Sequence, residues 1–424
     1  MKQITAVLIG AGGRGTTYTS TMSEEQFKVI AVAEPIVERR NKAKKRHSIS
    51  DDKCFDKWET LLAEPKMADL AIIATTDRMH YAPAIRAIEL GYNLLLEKPV
   101  APTVAECVEI ANAAKKKGVK VLVCHVLRYA DFFRKIKEMI NNGDVGKVLS
   151  IHHSENVGNL HHSHSYVRGN WGNTERSANM LLAKSCHDID IIQWLIGSKC
   201  TNVHSFGSLS YFNEENAPKG APLFCYEGCP HKDECYYDAT SIYSKEHPGW
   251  FKWHALQNEN PTDKDYDNLI RNTMYGQCVF KCDNDVVDHQ VVNLEYENGA
   301  IASFNMSAFN KGGRFIRVMG TDGEIYGDMS KNVLEYFSFK TRETITINPW
   351  EKGLDDSITS GHGGGDEGLI NVLYKYLTED YDGEFLSEIG ISVENHLTVF
   401  AAEKSRLEKK VINIAEFLKE SGLE

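Results

Sequence analysis

Six residues near the amino terminus have the make-up of a phosphate cradle. Gly10-Ala11-Gly12-Gly13-Arg14-Gly15 fits G-x-G-x-x-G and directly follows the apolar, β-branched run Ile4-Thr5-Ala6-Val7-Leu8-Ile9. After a strand, Gly10 permits the tight turn, Gly12 lets the main chain approach a pyrophosphate, and Gly15 lets helix and strand pack closely. A helix beginning at Thr16 presents free N–H groups and the positive end of its dipole to the phosphates. Glu34 lies roughly 20 residues further on, directly after the second apolar run Val29-Ile30-Ala31-Val32-Ala33. A carboxylate there accepts hydrogen bonds from a ribose 2′-OH and repels a 2′-phosphate, so NAD is expected over NADP. Arg39 and Arg40 lie close by and are read as a solvated helix face.

Three other clusters carry chemistry. His152, His153, His161, His162 and His164 crowd one stretch. No carboxylate sits at ligand spacing within His161-His162-Ser163-His164, so hydrogen bonding is favoured there over a metal. Gly361-His362-Gly363-Gly364-Gly365-Asp366 is a close-approach loop leading into a helix. Cys225-x3-Cys229-x5-Cys235, with Cys278 downstream, suits either a structural zinc or iron–sulfur site or thiols packed under a loop; the spacing is not that of a standard finger.

The elements that must position these groups fall into two regions. Over residues 1–125, short apolar runs at Ile4–Ile9, Val29–Ala33, Leu70–Ala74, Asn93–Leu96 and Val119–Val123 alternate with helical patterns at 36–46, His80–Leu90 and Thr103–Lys117. That alternation predicts βαβ units and a parallel sheet, hence a dinucleotide-binding α/β domain. From 126 to 424 the pattern is α+β. Helices are expected at 131–141 and Asp188–Leu195, a strand from Val148, and hairpins at Asp288–Met306 and Phe315–Gly327. Two helices close the chain, Asp366–Leu377 and Ser392–Leu407. Residues from about 211 to 277 are irregular and look like an insertion carrying the cysteines.

Hydrophobic residues make up 42% and charged residues 25% of the 424 residues, as in ordinary globular proteins. The balance of 48 Lys+Arg against 59 Asp+Glu, a net charge of -11, argues against nucleic-acid or anionic-membrane partners. No apolar run is long enough to span a membrane. The first apolar run ends in glycines and not in a cleavage site, so a cytoplasmic protein with reduced cysteines is expected.

Leu96-Glu97-Lys98-Pro99 resembles the Glu-Lys-Pro motif of the Gfo/Idh/MocA family, which includes glucose–fructose oxidoreductase and inositol dehydrogenase. Ala74-Thr75-Thr76-Asp77-Arg78-Met79-His80 is similar to that family's Thr-Pro-Asn-x-x-His, Leu127-Arg128-Tyr129 to its Arg-Phe/Tyr segment, and Asn142–Val148 to a common turn. The resemblance implies a Rossmann domain followed by an α+β domain whose open, mostly antiparallel sheet serves as a homo-oligomer interface, in a dimer or tetramer. It adds Thr75, Asp77, His80, Glu97 and Lys98 to the cofactor site, and it implies a carbohydrate substrate. The family's Asp-x-Gly-x-His-x-x-Asp is matched by Ala183-Lys184-Ser185-Cys186-His187-Asp188-Ile189-Asp190, which keeps His187 and Asp190 but has Ala183 where the first Asp belongs.

Oxidation of a sugar carbinol moves a hydride to the nicotinamide and a proton to a base. His187, at a helix start whose dipole disfavours imidazolium, is the expected base. Lys98 is expected to orient the hydroxyl or stabilise an alkoxide, and Lys184 to take part of the missing Asp's place. His161, His164, Tyr166, Arg168, Trp171 and His362 are the expected substrate contacts, with Trp171 stacking on a sugar face. A rival is a glycosidase in which NAD oxidises a sugar carbon transiently, elimination breaks the glycosidic bond, and the hydride returns. A third class is a protein that binds NAD without turnover.

Overall fold

The computed structural model describes residues 2–256, 258, 260–350, 362–379, 381, 383 and 385–422. Gly361 of the glycine-rich loop lies outside the described residues.

Six strands build the first sheet: β1 (Ile4–Ile9), β2 (Phe27–Ala33), β3 (Cys54–Phe55), β4 (Leu70–Ile73), β5 (Asn93–Leu96) and β6 (Val121–Val123). They pair in parallel in the order β3-β2-β1-β4-β5-β6. Helices on both faces require strands that are apolar throughout, and all four residues of β4 are buried. The sequence pattern shows five of these strands; β3 has only two residues, too few for a periodic signal. The chain runs outward from β1 to β3, then restarts at β4 on the other side. The crevice at the carboxyl ends of β1 and β4 is therefore the switch point where such sheets bind ligands.

Nine strands form the second sheet: β7 (Val148–Asn156), β8 (Cys200–Ser208), β9 (His289–Tyr296), β10 (Ile301–Ser307), β11 (Gly313–Gly320), β12 (Gly323–Asp328), β13 (Val333–Ser338), β14 (Thr344–Ile347) and β15 (Ile412–Asn413). Their order is β14-β13-β12-β11-β7-β10-β9-β8-β15. Every neighbouring pair is antiparallel except β7 with β10. Alternation buries Ile151, His153 and Glu155 of β7 and leaves His152 outside. The β7–β11 register sets Arg314 opposite Glu155 and Ile316 opposite His153 on the same inner face.

The two C-terminal helices return to the first sheet. Leu369, Ile370 and Leu373 of helix Gly365–Thr378 pack with Ile4 and Leu8 on one face, and Val393 and Leu397 of helix Ile389–Glu408 pack with Val7 and Ile9 on the other. The segment 211–277 contains short helices, including Ala239–Ile242, Phe251–Leu256 and Asp263–Asn272, around a small core of Phe212, Tyr237, Tyr243 and Phe251. Among the described residues, no helix is long and apolar enough to cross a membrane.

Candidate active site

The glycine loop has the geometry its spacing predicts. Gly10 has φ +91°, and a Cβ there would lie 2.6 Å from the Ala74 carbonyl oxygen. A Cβ on Gly15 would lie 2.1 Å from the Gly10 carbonyl oxygen, so helix and strand approach as closely as glycine allows. A Cβ on Gly12 or Gly13 would meet no backbone within 4 Å. Helix Gly13–Thr21 has no side-chain cap and no acidic residue in its first turn. Its N–H groups are thus left for an anion, and the residues fit a dinucleotide phosphate.

Glu34 is buried at the end of β2. Its Oε2 accepts from the Ala11 N–H (2.8 Å) and its Oε1 from the Ile36 N–H (3.0 Å). Each oxygen keeps a second lone pair, and the carboxylate first shapes the loop. Arg40 donates to the Glu34 carbonyl oxygen. Arg39 differs from the solvated face expected of it: it is half-buried, with Nη1 3.7 Å from a Cβ built on Gly12.

Arg14, in the glycine motif, is held by side chains of the first domain and of the C-terminal helix Gly365–Thr378. It donates to Glu97 Oε1 (2.9 Å), Tyr18 Oη (2.7 Å) and Asp366 Oδ1 (2.5 Å). Asp366 in turn pairs with His362 Nδ1 at 3.1 Å. Burial alone would raise the Glu97 carboxyl; Arg14 and Lys98 outweigh it and hold the pKa below the ordinary range. This network ties the glycine loop, the end of β5 and the C-terminal loop into one wall. Thr75 Oγ1 donates to the Met79 carbonyl oxygen (2.9 Å). The ring nitrogens of His80 lie against the Pro99 and Thr75 carbonyl oxygens at 2.6 and 3.1 Å. His80 is thus a buried staple of the cofactor loops, not a contact within the crevice. Asp77 accepts from Ser177 Oγ and from Trp171 Nε1 (3.4 Å), tying the second domain to the loop after β4.

Lys98, from the first domain, meets the segment that leads into the helix carrying His187. Lys98 Nζ donates to the Ala183 carbonyl oxygen (2.7 Å), at the position where the sequence lacks an Asp. His187 is the second residue of helix Cys186–Ile196, with its ring 6.3 Å from that of His362 and 5.8 Å from that of His125. Burial first, then Lys98 and His125, hold its pKa well below the ordinary value, so the imidazole is neutral. Beside them lies a network that only the register of β7 and β11 assembles. Lys184 Nζ is 3.7 Å from Glu155 Oε1; Arg314 pairs with Glu155 and, at 2.8 Å, with Asp188; His153 Nε2 is 2.8 Å from Asp188. Burial lowers the Lys184 pKa, with Glu155 opposing and Arg314 and Lys98 reinforcing.

Two expected substrate contacts are corrected. His164 is buried with both ring nitrogens engaged, Nδ1 with Tyr243 Oη (2.9 Å) and Nε2 with His254 Nδ1 (3.0 Å), and its ring stacks on Tyr275. Burial, then His254 and Arg168, push its pKa down to about 2. Arg168 is buried too, donating to the Gln277 and Tyr237 carbonyl oxygens at 2.7 and 2.6 Å. Both anchor the insertion to its host. His161 and Trp171 remain half-buried, and Tyr166 packs between them.

The zinc expectation is also corrected. Cys225, Cys229, Cys235 and Cys278 are free thiols, and among the described residues no three His, Cys, Asp or Glu side chains gather to hold a metal ion. Cys225 and Cys278 are buried in the insertion core, and Arg168 Nη2 lies 3.9 Å from Cys225 Sγ. A fixed guanidinium beside the thiols opposes a second cation.

Residues 4–125 match the description "Oxidoreductase family, NAD-binding Rossmann fold", and residues 137–348 match "Oxidoreductase family, C-terminal alpha/beta domain", the two parts of GFO_IDH_MocA. The chain belongs to the Gfo/Idh/MocA oxidoreductase family. The Bacillus subtilis protein YteT is 28% identical over 325 residues, 72% of each chain. The 2,7-anhydro-N-acetylneuraminate hydratase of Mediterraneibacter gnavus is 26% identical over 200 residues, covering 46% of this chain and 50% of that one. Among solved structures, levoglucosan dehydrogenase in complex with NADH and levoglucosan has the same fold, with TM-score 0.66 and 17% identity over 97% of this chain and 100% of that one.

Within this Gfo/Idh/MocA chain, several site residues escape motif reasoning. Glu155 and Arg314 carry no motif; strand alternation and hairpin register were the only available signals. His125, fully buried, has neither ring nitrogen bonded, and its Nδ1 lies 4.0 Å from Asp190, which is held by Arg128 at 2.7 Å. Asp190, the retained last residue of the family motif, therefore supports the site from behind.

Proposed function

We propose that this protein is an NAD-dependent oxidoreductase that transfers hydride between the nicotinamide and a carbinol of a sugar or sugar derivative. The observation that carries this reading is Lys98, at the carboxyl end of β5, fixed by the Ala183 carbonyl oxygen just before the helix that carries His187, whose pKa burial and Lys98 depress. Gly10, Gly12, Gly13, Gly15, Glu34 and Thr75 would hold the dinucleotide, and bound NAD supplies the hydride acceptor. Lys98, fixed by the Ala183 carbonyl oxygen, presents its remaining ammonium hydrogens to the substrate oxygen and stabilises developing negative charge. His187 Nε2 accepts the hydroxyl proton, and depression of its pKa keeps it free to do so at neutral pH. His161, Tyr166, Trp171 and His362 line the substrate side, and Trp171 offers a stacking face. Glu34 favours NAD, because a 2′-phosphate would meet its buried charge.

One observation supports a redox-neutral second reading. Lys184, beside Glu155 and with its pKa lowered by burial, would serve as the second acid or base that an elimination needs. In that reading the substrate is a glycoside, and the hydride returns after its bond breaks. A screen of sugars and aryl glycosides separates the two. NADH accumulation with a free sugar supports the first, and glycoside cleavage without net NADH supports the second. Nucleotide binding with neither activity overturns both.

The exposed face of the second sheet carries Leu149, Phe206 and Ile301, which suits pairing with a second copy of the chain. Sedimentation of an Ile301→Glu variant as a smaller species than the parent would support this; a monomeric parent would exclude it. Ten free thiols suit the cytoplasm.

A further inference from the structure

The insertion between β8 and β9 has no part in the chemistry proposed above, yet its helix Phe251–Leu256 sets His254 against Trp171, a residue tied to the loop after β4. His254 Nδ1 is 3.0 Å from His164 Nε2, and its ring stacks on Trp171 at 6.2 Å and 26°. Trp171 Nε1 donates to Asp77 (3.4 Å), and Arg78 Nη2 donates to the Thr174 carbonyl oxygen (2.8 Å). That side is thereby tied to the loop after β4. On the other side stands Arg39, which follows β2 and hangs over Gly12. Among the described residues, Arg39 has no carboxylate partner. Burial first and Arg39 second hold the His254 imidazole below its ordinary pKa. Arg39, after β2, and the His254–Trp171 stack, beside the loop after β4, therefore flank the crevice from its two sides. Trp250 backs the stack edge-on, 5.8 Å from His254 and 5.2 Å from His161.

We infer that helix Phe251–Leu256 roofs the dinucleotide, with His254 and Trp250 as retaining residues, so that NADH leaves only when this helix lifts. The inference rests on nucleotide binding at the glycine loop and not on the identity of the substrate. It has a chemical consequence. Turnover that exchanges free NAD is capped by the opening step, whereas a cycle that returns the hydride to the same substrate is not.

The test measures NADH release without any sugar. Protein loaded with NADH is desalted and mixed with excess NAD, and the fall of bound-NADH fluorescence gives the release rate. His254→Ala and Trp250→Ala should each release NADH faster than the parent, by about tenfold or more, because loss of a retaining contact acts mainly on the off-rate. Trp253→Ala, on the same helix but 48% exposed, should match the parent. In the parent alone, saturating NADH should slow protease cleavage within the insertion, which keeps the inference testable if a variant fails to fold. Equal release from the parent and both folded variants would overturn it, as would cleavage indifferent to NADH. A parent that takes up no NADH would overturn the nucleotide site and the roof together. Failure to oxidise any sugar would count against the proposed reaction while leaving the release measurement to decide on the roof.

Discussion

Glu155→Gln tests the network that the second sheet assembles. Glu155 is 3% exposed and supplies negative charge between Arg314 and Lys184. The substitution keeps the shape and removes the charge. Arg314 retains Asp188 at 2.8 Å, so Lys184, 3.7 Å from Glu155, bears most of the loss. Two unit charges at that separation attract by about 4 kcal/mol at an effective dielectric of ~20. Removing one partner of a buried pair costs about 3–5 kcal/mol, and a loss of about 3 kcal/mol is expected because Lys184 can shed its proton. The pH dependence follows from the same group. Burial already holds the Lys184 pKa below the ordinary amine value, and without Glu155 it falls further. Between that lowered folded-state pKa and the unfolded value of about 10.4, the unfolded chain binds more protons, so stability rises with pH. In Glu155→Gln the rise should begin at lower pH than in the parent. Urea unfolding across a pH series measures both effects. Adding Lys184→Met should recover part of the loss, because the uncompensated charge is gone. A Glu155→Gln protein within about 0.5 kcal/mol of the parent, with a parallel pH dependence, would show that Glu155 and Lys184 are not coupled.

Lys98→Ala and His187→Ala should bind NAD as the parent does yet turn over about 10²–10⁴-fold more slowly, a difference that kinetics and calorimetry read separately. Because protonation disables a neutral base and the His187 pKa is depressed, the acid limb of kcat/KM should fall below about pH 6.5 and vanish in His187→Ala; a limb that survives there assigns the base elsewhere. Glu34→Gln should lose NAD affinity and gain on NADP, through a charge-assisted contribution of about 1.5–3 kcal/mol, and unchanged affinity for both nucleotides by calorimetry would remove Glu34 from cofactor choice. Elemental analysis should find no stoichiometric zinc, and a chelator should leave the melting temperature unchanged; about one zinc per chain would restore the Cys225, Cys229, Cys235 and Cys278 site.

Parts of the fold whose causes are local could be read from the residues alone. A β-branched run, a glycine turn and a helix start lie within a dozen residues, and backbone sterics alone impose the Gly10 conformation and the Gly15 close approach. Helices and hairpins were legible wherever their periods persisted, as in Val104–Lys117 and in β9 with β10; β3 was too short to show one. Glu34 was expected from its offset after the second strand, whereas Lys98 and His187 were expected from motif resemblance. The tertiary structure alone decided which charges meet. Arg14 pairs with Asp366 across 352 residues, and Arg314 with Asp188 across 126. Residue type says nothing of direction, so His164 and Arg168 could be sent into the insertion core while His161 and Trp171 stayed half-buried. Cysteine spacing likewise could not reveal that a guanidinium already stands beside the thiols. Partners of this kind are chosen by sheet register and chain return, where burial makes an unpaired charge costly enough to select its neighbour.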